Sequence, residues 1–210
     1  MNQRQSHVFW GSHAPLSTLC GGCLVILASS RLAFAIVCAG ALLWVYGISS
    51  LVYFSGQPIM PKKGKPVILL FLSGFVCGIF ALLVGFINPL VIMGTGFFLM
   101  LIPPCYIGSG IFERFRSMDL GAAVSQALVE GLVLGGLVIA MALIREPLGL
   151  GSISFPGGAQ GLVEIFGGPE DGGFFPIQIF SVSSGAFLIL GYLVALFRYV
   201  RGFNTHEGSS

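Results

Sequence analysis

Leu32 to Phe54 reads LAFAIVCAGALLWVYGISSLVYF, an apolar run with no charged side chain. A bilayer core of roughly 30 Å takes about 20 helical residues, so this stretch predicts a membrane span. Working outward from it, Leu16 to Ser30 is a shorter apolar stretch containing Gly21-Gly22. On the other side, Ser55 to Pro66 carries Pro58, Pro61, Lys62, Lys63, Gly64 and Lys65, a polar connector that hydrocarbon would not accept. Val67 to Phe86 predicts a third span, and Asn88-Pro89 a tight turn. Leu90 to Ile107 is a fourth, interrupted near its end by Pro103-Pro104. A fifth lies between Leu120 and Ile144 and is closed by Arg145. The Gly- and Pro-rich, slightly acidic segment Glu146 to Phe175 separates it from a sixth, Pro176 to Phe197.

Composition agrees. Of 210 residues, 55% are hydrophobic and 9% charged, with mean hydropathy +0.95, whereas soluble domains carry roughly 25% charged residues. A soluble fold could not hide so much apolar surface. A formal net charge of +2 gives no basic field for nucleic acid, and no catalytic set of a soluble enzyme can be read. The expectation is an all-α integral membrane protein of six transmembrane helices. A 1–15 tail precedes a 16–200 membrane domain, made of an inverted 3+3 repeat (about 16–87 and 88–200) with broken first and fourth helices, and a 201–210 tail follows. Arg4 precedes an apolar stretch of modest length, as in a signal peptide, but no convincing small-residue cleavage site follows and the stretch is read as retained.

Cations set the orientation. With six spans, one side holds Arg4, Lys62, Lys63, Lys65, Arg114, Arg116, Arg198 and Arg201, and the other holds Arg31 and Arg145. That asymmetry predicts both termini in the cytoplasm and the 146–175 loop outside.

Five cysteines remain: Cys20, Cys23, Cys38, Cys77 and Cys105. Cys38 and Cys77 lie in plain apolar helices and read as small hydrophobes without a role. Cys20 and Cys23 form a C-x-x-C, but zinc would need further ligands, and His7, His13 and His206 sit near the termini. A disulfide would need an oxidising side. Gly21-Gly22 precedes Cys23, and Pro103-Pro104 precedes Cys105. Both pairs favour helix breaks, since proline removes a donor and paired glycines cost helix stability. Broken helices at membrane depth are a sign of a buried site. Each cysteine would sit where a half-helix begins, and there the positive helix end favours a thiolate. Two such thiolates could hold half of an iron–sulfur cluster, which usually takes four. The plain reading, free thiols beside packing kinks, stands beside it.

Four segments carry a resemblance. They are Cys23-Leu24-Val25-Ile26-Leu27-Ala28-Ser29-Ser30, Ile102-Pro103-Pro104-Cys105, the run Ala142 to Gly151 with its Ile144-Arg145-Glu146 and Gly149-Leu150-Gly151, and Ser184 to Gly191 with its Gly185-Ala186-Phe187. Together they resemble the six-helix membrane subunits of the Rnf and sodium-pumping Nqr electron-transport complexes. These subunits come as two paralogues of opposite orientation, and the last segment looks more like the paralogue whose termini face the cytoplasm. Leu24 stands where that family usually has Pro, and Pro104 where it has Asn, while Cys20 adds a thiol.

The resemblance implies two such subunits packed in inverted orientation in a bacterial inner membrane. Four cysteines, two from each, bind a [2Fe-2S] cluster that carries electrons across the bilayer between flavin- and iron–sulfur-bearing subunits, coupled to sodium or proton movement. Cys23 and Cys105 are then this chain's iron ligands. The competing class is a metal-free secondary transporter or ion-conducting subunit, and a scaffold is a third. Glu130 would be intramembrane, and functional by default, if the fifth span starts near Leu120. It would be interfacial if the span starts near Val129. Arg145 and Glu146 have either an ion-path or a structural role, an interfacial ion pair or the shaping of a turn. Glu113 and Arg114 read as solvated charges, and Gly131, Gly135 and Gly136 as sites of close helix contact.

Overall fold

The computed structural model describes residues 19–56, 64–110, 119–157, 162–164, 178–180, 182–192 and 195. The cations Arg4, Lys62, Lys63, Arg114, Arg116, Arg198 and Arg201, and Glu113, lie outside them. The chain is mostly helical. Its elements are α1 (Leu19–Ala28), α2 (Leu32–Gly56), α3 (Lys65–Ile87), α4 (Pro89–Leu99), α5 (Ile102–Gly108), α6 (Leu120–Leu150), β1 (Ser154–Pro156), β2 (Leu162–Glu164), a 3₁₀ turn at Gln178–Phe180, and α7 (Ser183–Tyr192).

Among the described residues, four helical segments are long and apolar enough to cross a membrane: α2, α3, α4 with α5 as Pro89–Gly108, and α6. The chain is thus a multi-pass, membrane-embedded helical protein. Of the six expected spans, the first and last have described helices of 10 residues or so, α1 and α7, about 15 Å at 1.5 Å per residue and shorter than a bilayer core.

Large apolar side chains point outward as a bilayer requires, among them Phe71, Phe75, Phe86, Met93 and Met100. The core lies instead on α2, whose buried residues include Ala35, Cys38, Ala39, Leu42, Val45, Tyr46, Ser49 and Tyr53. This helix packs most extensively on α6, and the two run antiparallel. A Cβ added at Gly135 would sit 3.1 Å from the Ala39 Cβ, and one at Gly131 would sit 3.3 Å from the Tyr46 Cβ and 3.4 Å from the Leu42 carbonyl oxygen. Small residues let the backbones approach this closely where lipid supplies no hydrophobic drive between helices. Gly136, expected to do the same, faces open space.

Two helix ends differ from expectation. Gly21-Gly22 does not break the first helix, because α1 runs continuously from Leu19 through Cys23 to Ala28. Glycine keeps its N–H and costs a helix only about 1 kcal/mol, unlike proline. The fifth span does not close at Arg145. It continues through Pro147 to Leu150, where Gly151 adopts φ 67° and donates to the Pro147 carbonyl at 3.0 Å, a left-handed terminus that glycine makes without strain. The loop beyond holds a small antiparallel hairpin, with Ser154 opposite Glu164, Phe155 opposite Val163 and Pro156 opposite Leu162.

The fourth span is interrupted before Pro103-Pro104, as expected: α4 ends at Leu99 and α5 begins at Ile102. Met100 and Leu101 keep right-handed helical dihedrals, so the interruption is a gap in the hydrogen-bond ladder rather than a bend. The turn before this span is capped by Asn88, whose Oδ1 accepts from the Val91 N–H at 3.1 Å, an ordinary use of asparagine at a helix start.

Replacing Gly135 by Val should force α2 and α6 apart and destabilise the purified chain by roughly 1–3 kcal/mol. Gly136→Ala should leave it unchanged or gain up to about 1 kcal/mol. Reversible unfolding in mixed detergent micelles measures both.

Candidate functional site

The α1–α2 turn is held by two neighbouring side chains of α6. A helix leaves its last carbonyls and first N–H groups without partners, and at this turn both kinds are buried. The Arg145 Nη1 donates to the Ile26 carbonyl at 2.7 Å and to the Ser29 Oγ at 3.3 Å, so a cation sits at the negative end of α1. The Glu146 Oε2 accepts from the Leu32 N–H at 2.6 Å, so an anion sits at the positive start of α2. The same pair reaches two further segments. Arg145 Nε donates to the Phe180 carbonyl at 2.9 Å, and Glu146 Oε1 accepts from the Ser154 N–H at 2.8 Å, tying down β1. Arg145 and Glu146 are buried, at 3% and 1% exposure. Charges are tolerated there because each has several hydrogen-bond partners.

This clamp brings together segments that are distant in sequence. Ile26 and Ser29 belong to the first cysteine segment, and Phe180 lies just ahead of Ser184 to Gly191. The geometry of Arg145 and Glu146 is that of a structural fastening for the cysteine-bearing helix.

The cysteine-bearing helices α1 and α5 pack against each other. Cys20 and Cys23 on α1 lie within electrostatic reach of the Cys105 thiol on α5. Cys20 and Cys23 are half-buried and Cys105 is buried; all five cysteines are free thiols. Cys23 does not start a half-helix, since it stands inside the unbroken α1. Cys105 does stand in the first turn of one, with its N–H bonded to the Leu101 carbonyl at 3.2 Å. Among the described residues, no three or more of His, Cys, Asp and Glu form a group able to hold a metal ion.

Cys77, read from sequence as a plain apolar residue, does more than pack. Pro103 has no N–H to offer the Leu99 carbonyl four residues back; the Cys77 Sγ donates to that oxygen at 3.3 Å. A side chain from α3 thus takes up a carbonyl that a Pro-Pro break frees at membrane depth, where such groups must be satisfied internally. The sequence signal was the Pro-Pro pair itself, which demands a donor without saying which helix supplies it. Cys38 is buried in the core.

Glu130 stands eleven residues into α6, which starts at Leu120, and is buried within the protein at 1% exposure. Its Oε1 lies 3.5 Å from the Gln126 Nε2. Tyr46 of α2 and Tyr106 of α5 lie within its electrostatic reach. Their rings meet edge to face at a centroid distance of 5.1 Å.

Two outcomes are expected from these contacts. Glu146→Ala should destabilise the chain by about 1–3 kcal/mol and speed amide hydrogen exchange at Leu32 and Ser154, while Glu146→Gln, which keeps an acceptor, does less of both. Cys77→Ala should cost about 0.5–1.5 kcal/mol, and Cys77→Ser, which keeps a donor, should cost less in the same unfolding assay.

Compared with models of known protein families and with curated proteins, the chain matches none of either.

Proposed function

We propose that this chain is the membrane subunit of an Rnf- or Nqr-type ion-translocating electron-transport complex, contributing Cys23 and Cys105 as half the ligands of a [2Fe-2S] cluster shared with an inverted paralogous subunit. On this reading it lies in a bacterial inner membrane with both termini cytoplasmic, as six spans related by a 3+3 inverted repeat. The reading rests first on the resemblance of four short segments. The observation that carries it furthest is that these segments meet in space. Arg145 fastens the helix that bears Cys20 and Cys23 and reaches Phe180 beside the last segment, and the thiol of the second segment lies within reach of those of the first.

The donor chemistry suits the group. Thiolates are the ordinary ligands of iron–sulfur clusters, and a bound cluster supplies one-electron transfer that no side chain here provides. The chain's own residues hold the two thiols in place: Arg145 and Glu146 fix α1 against α2, and Pro103-Pro104 starts the short helix that carries Cys105. Cys105 is wholly covered, whereas Cys20 and Cys23 are half-buried. The inverted partner and the flavin- and iron–sulfur-bearing subunits belong to the same proposal.

A second reading, a metal-free secondary transporter or ion-conducting subunit, is favoured by the buried Glu130, because intramembrane acids mark ion and proton paths by default.

Purification of the intact membrane complex, with iron and acid-labile sulfide measured per subunit, separates the two. The redox reading expects visible iron–sulfur absorption that disappears in Cys23→Ser and in Cys105→Ser, together with electron transfer through the complex. Cys38→Ser should keep both, and so should Cys20→Ser. A Cys105→Ser complex with a normal cluster spectrum would sink the ligand assignment. A wild-type complex without iron, still moving ions, would favour the second reading.

A further inference from the structure

We propose that Glu130, with the hydroxyl groups of Tyr46 and Tyr106, forms a proton-binding site inside the membrane. The proposal stands on packing and needs neither the redox reading nor its alternative. Burying an ionisable carboxyl within a membrane-spanning helix is expensive, yet Glu130 is 1% exposed.

Buried hydroxyl side chains lie on the neighbouring helices. Tyr46, Ser49 and Tyr53 repeat along α2 at helical spacing, so they share one face, and all three are buried. Tyr106 comes from α5 and is within electrostatic reach of both Glu130 and Tyr53. The Tyr46 hydroxyl lies toward Ser109 at the end of α5. One of these groups carries an independent signal. The Tyr106 hydroxyl is buried and makes no hydrogen bond to any described residue, whereas buried polar groups are nearly always satisfied. Close packing keeps the cluster tight, because Gly131, next to Glu130, lets α6 come within van der Waals contact of Tyr46 and Leu42.

The ligand is argued from the donor set. A hydroxyl rotates to donate to a carboxylate or to accept from a carboxylic acid, so hydroxyl neighbours suit either protonation state of Glu130. Binding forms one O–H bond on a carboxyl oxygen and turns a charge of −1 into zero, with nothing else consumed. A hard metal cation would ask for several more oxygen ligands, usually including free backbone carbonyls. Tyr46 and Glu130 lie inside continuous helices, where the carbonyls are engaged. The other titratable groups on these elements are Cys38 and Tyr53 on α2, Cys105 on α5, Cys20 and Cys23 on α1, and Glu146 on α6 with Asp119 at its start. Of the described residues the cations are Arg31, Lys65 and Arg145. Arg31 and Arg145 sit together at the far end of the α2–α6 pair, about 20 Å along the helices from Glu130, and Lys65 starts α3 at the opposite end.

Infrared difference spectroscopy of the intact chain in lipid nanodiscs, stepped in pH, reads the site directly. The carbonyl stretch of a protonated carboxylic acid should grow as pH falls, shift in deuterium oxide, and be lost in Glu130→Gln. Glu146 is also buried, so assignment needs a second variant: Tyr106→Phe keeps the ring and removes one hydroxyl, and should move the band without removing it. A band unmoved by Tyr106→Phe, or one that persists in a folded Glu130→Gln chain, overturns the proposal. So does the absence of any such band at every pH where the wild type stays folded. Loss of the band on adding sodium at fixed pH overturns the proton assignment in favour of a metal cation.

Discussion

Two adjacent charges that are kept out of both water and lipid organise this molecule. Arg145 and Glu146 occupy the point where α1 ends and α2 begins, and each faces the helix end of opposite polarity. Because a helix cannot satisfy its own terminal groups, a buried turn needs outside donors and acceptors, and here one short stretch of α6 supplies both. The same two side chains extend to β1 and to the 3₁₀ turn before α7. Four separate segments thus share one fastening. In a bilayer, where apolar packing between helices is only weakly favoured over packing against lipid, such directional contacts decide which elements lie together.

The break in the fourth span follows the same physics on a smaller scale. Two prolines remove two donors, and the freed carbonyl of Leu99 is met by a thiol from α3. The sulfur is a weak donor, yet it reaches a place that water cannot. This arrangement lets α5 begin afresh with Cys105 in its first turn. The third case is the α2–α6 pair, where missing side chains at Gly131 and Gly135 bring the backbones together beside the buried Glu130.

These features bear differently on function. The redox proposal depends on thiols carried by α1 and α5 and on a partner that completes the ligand set. The carboxyl and its hydroxyl cluster belong to α2, α5 and α6 within this chain. The Tyr46 hydroxyl lies within electrostatic reach of Cys105 as well as of Glu130, so the two regions adjoin. A charge placed at one would be felt at the other, since little dielectric screening separates them.

The sequence by itself determined the membrane class, the four long spans to within a few residues, and the gap before Pro103-Pro104. Apolar length and missing backbone donors are local properties. It also singled out Cys23, Cys105, Glu130, Arg145 and Glu146, because charges, thiols and helix breakers are conspicuous in an apolar chain. Some of what it suggested did not hold locally: Gly21-Gly22 keeps its hydrogen bonds and stays helical, and α6 outlasts Arg145 because Gly151, not the arginine, can take the left-handed turn. Only the tertiary structure decided what those residues touch. That Arg145 reaches Ile26 and Ser29, that Glu146 reaches Leu32, that Cys77 answers Leu99, and that Tyr46, Tyr106 and Glu130 share one interior are contacts between helices. Such contacts depend on the rotation and depth of each helix against its neighbours. Hydropathy carries little information about either, because in lipid an apolar face is as stable outward as inward.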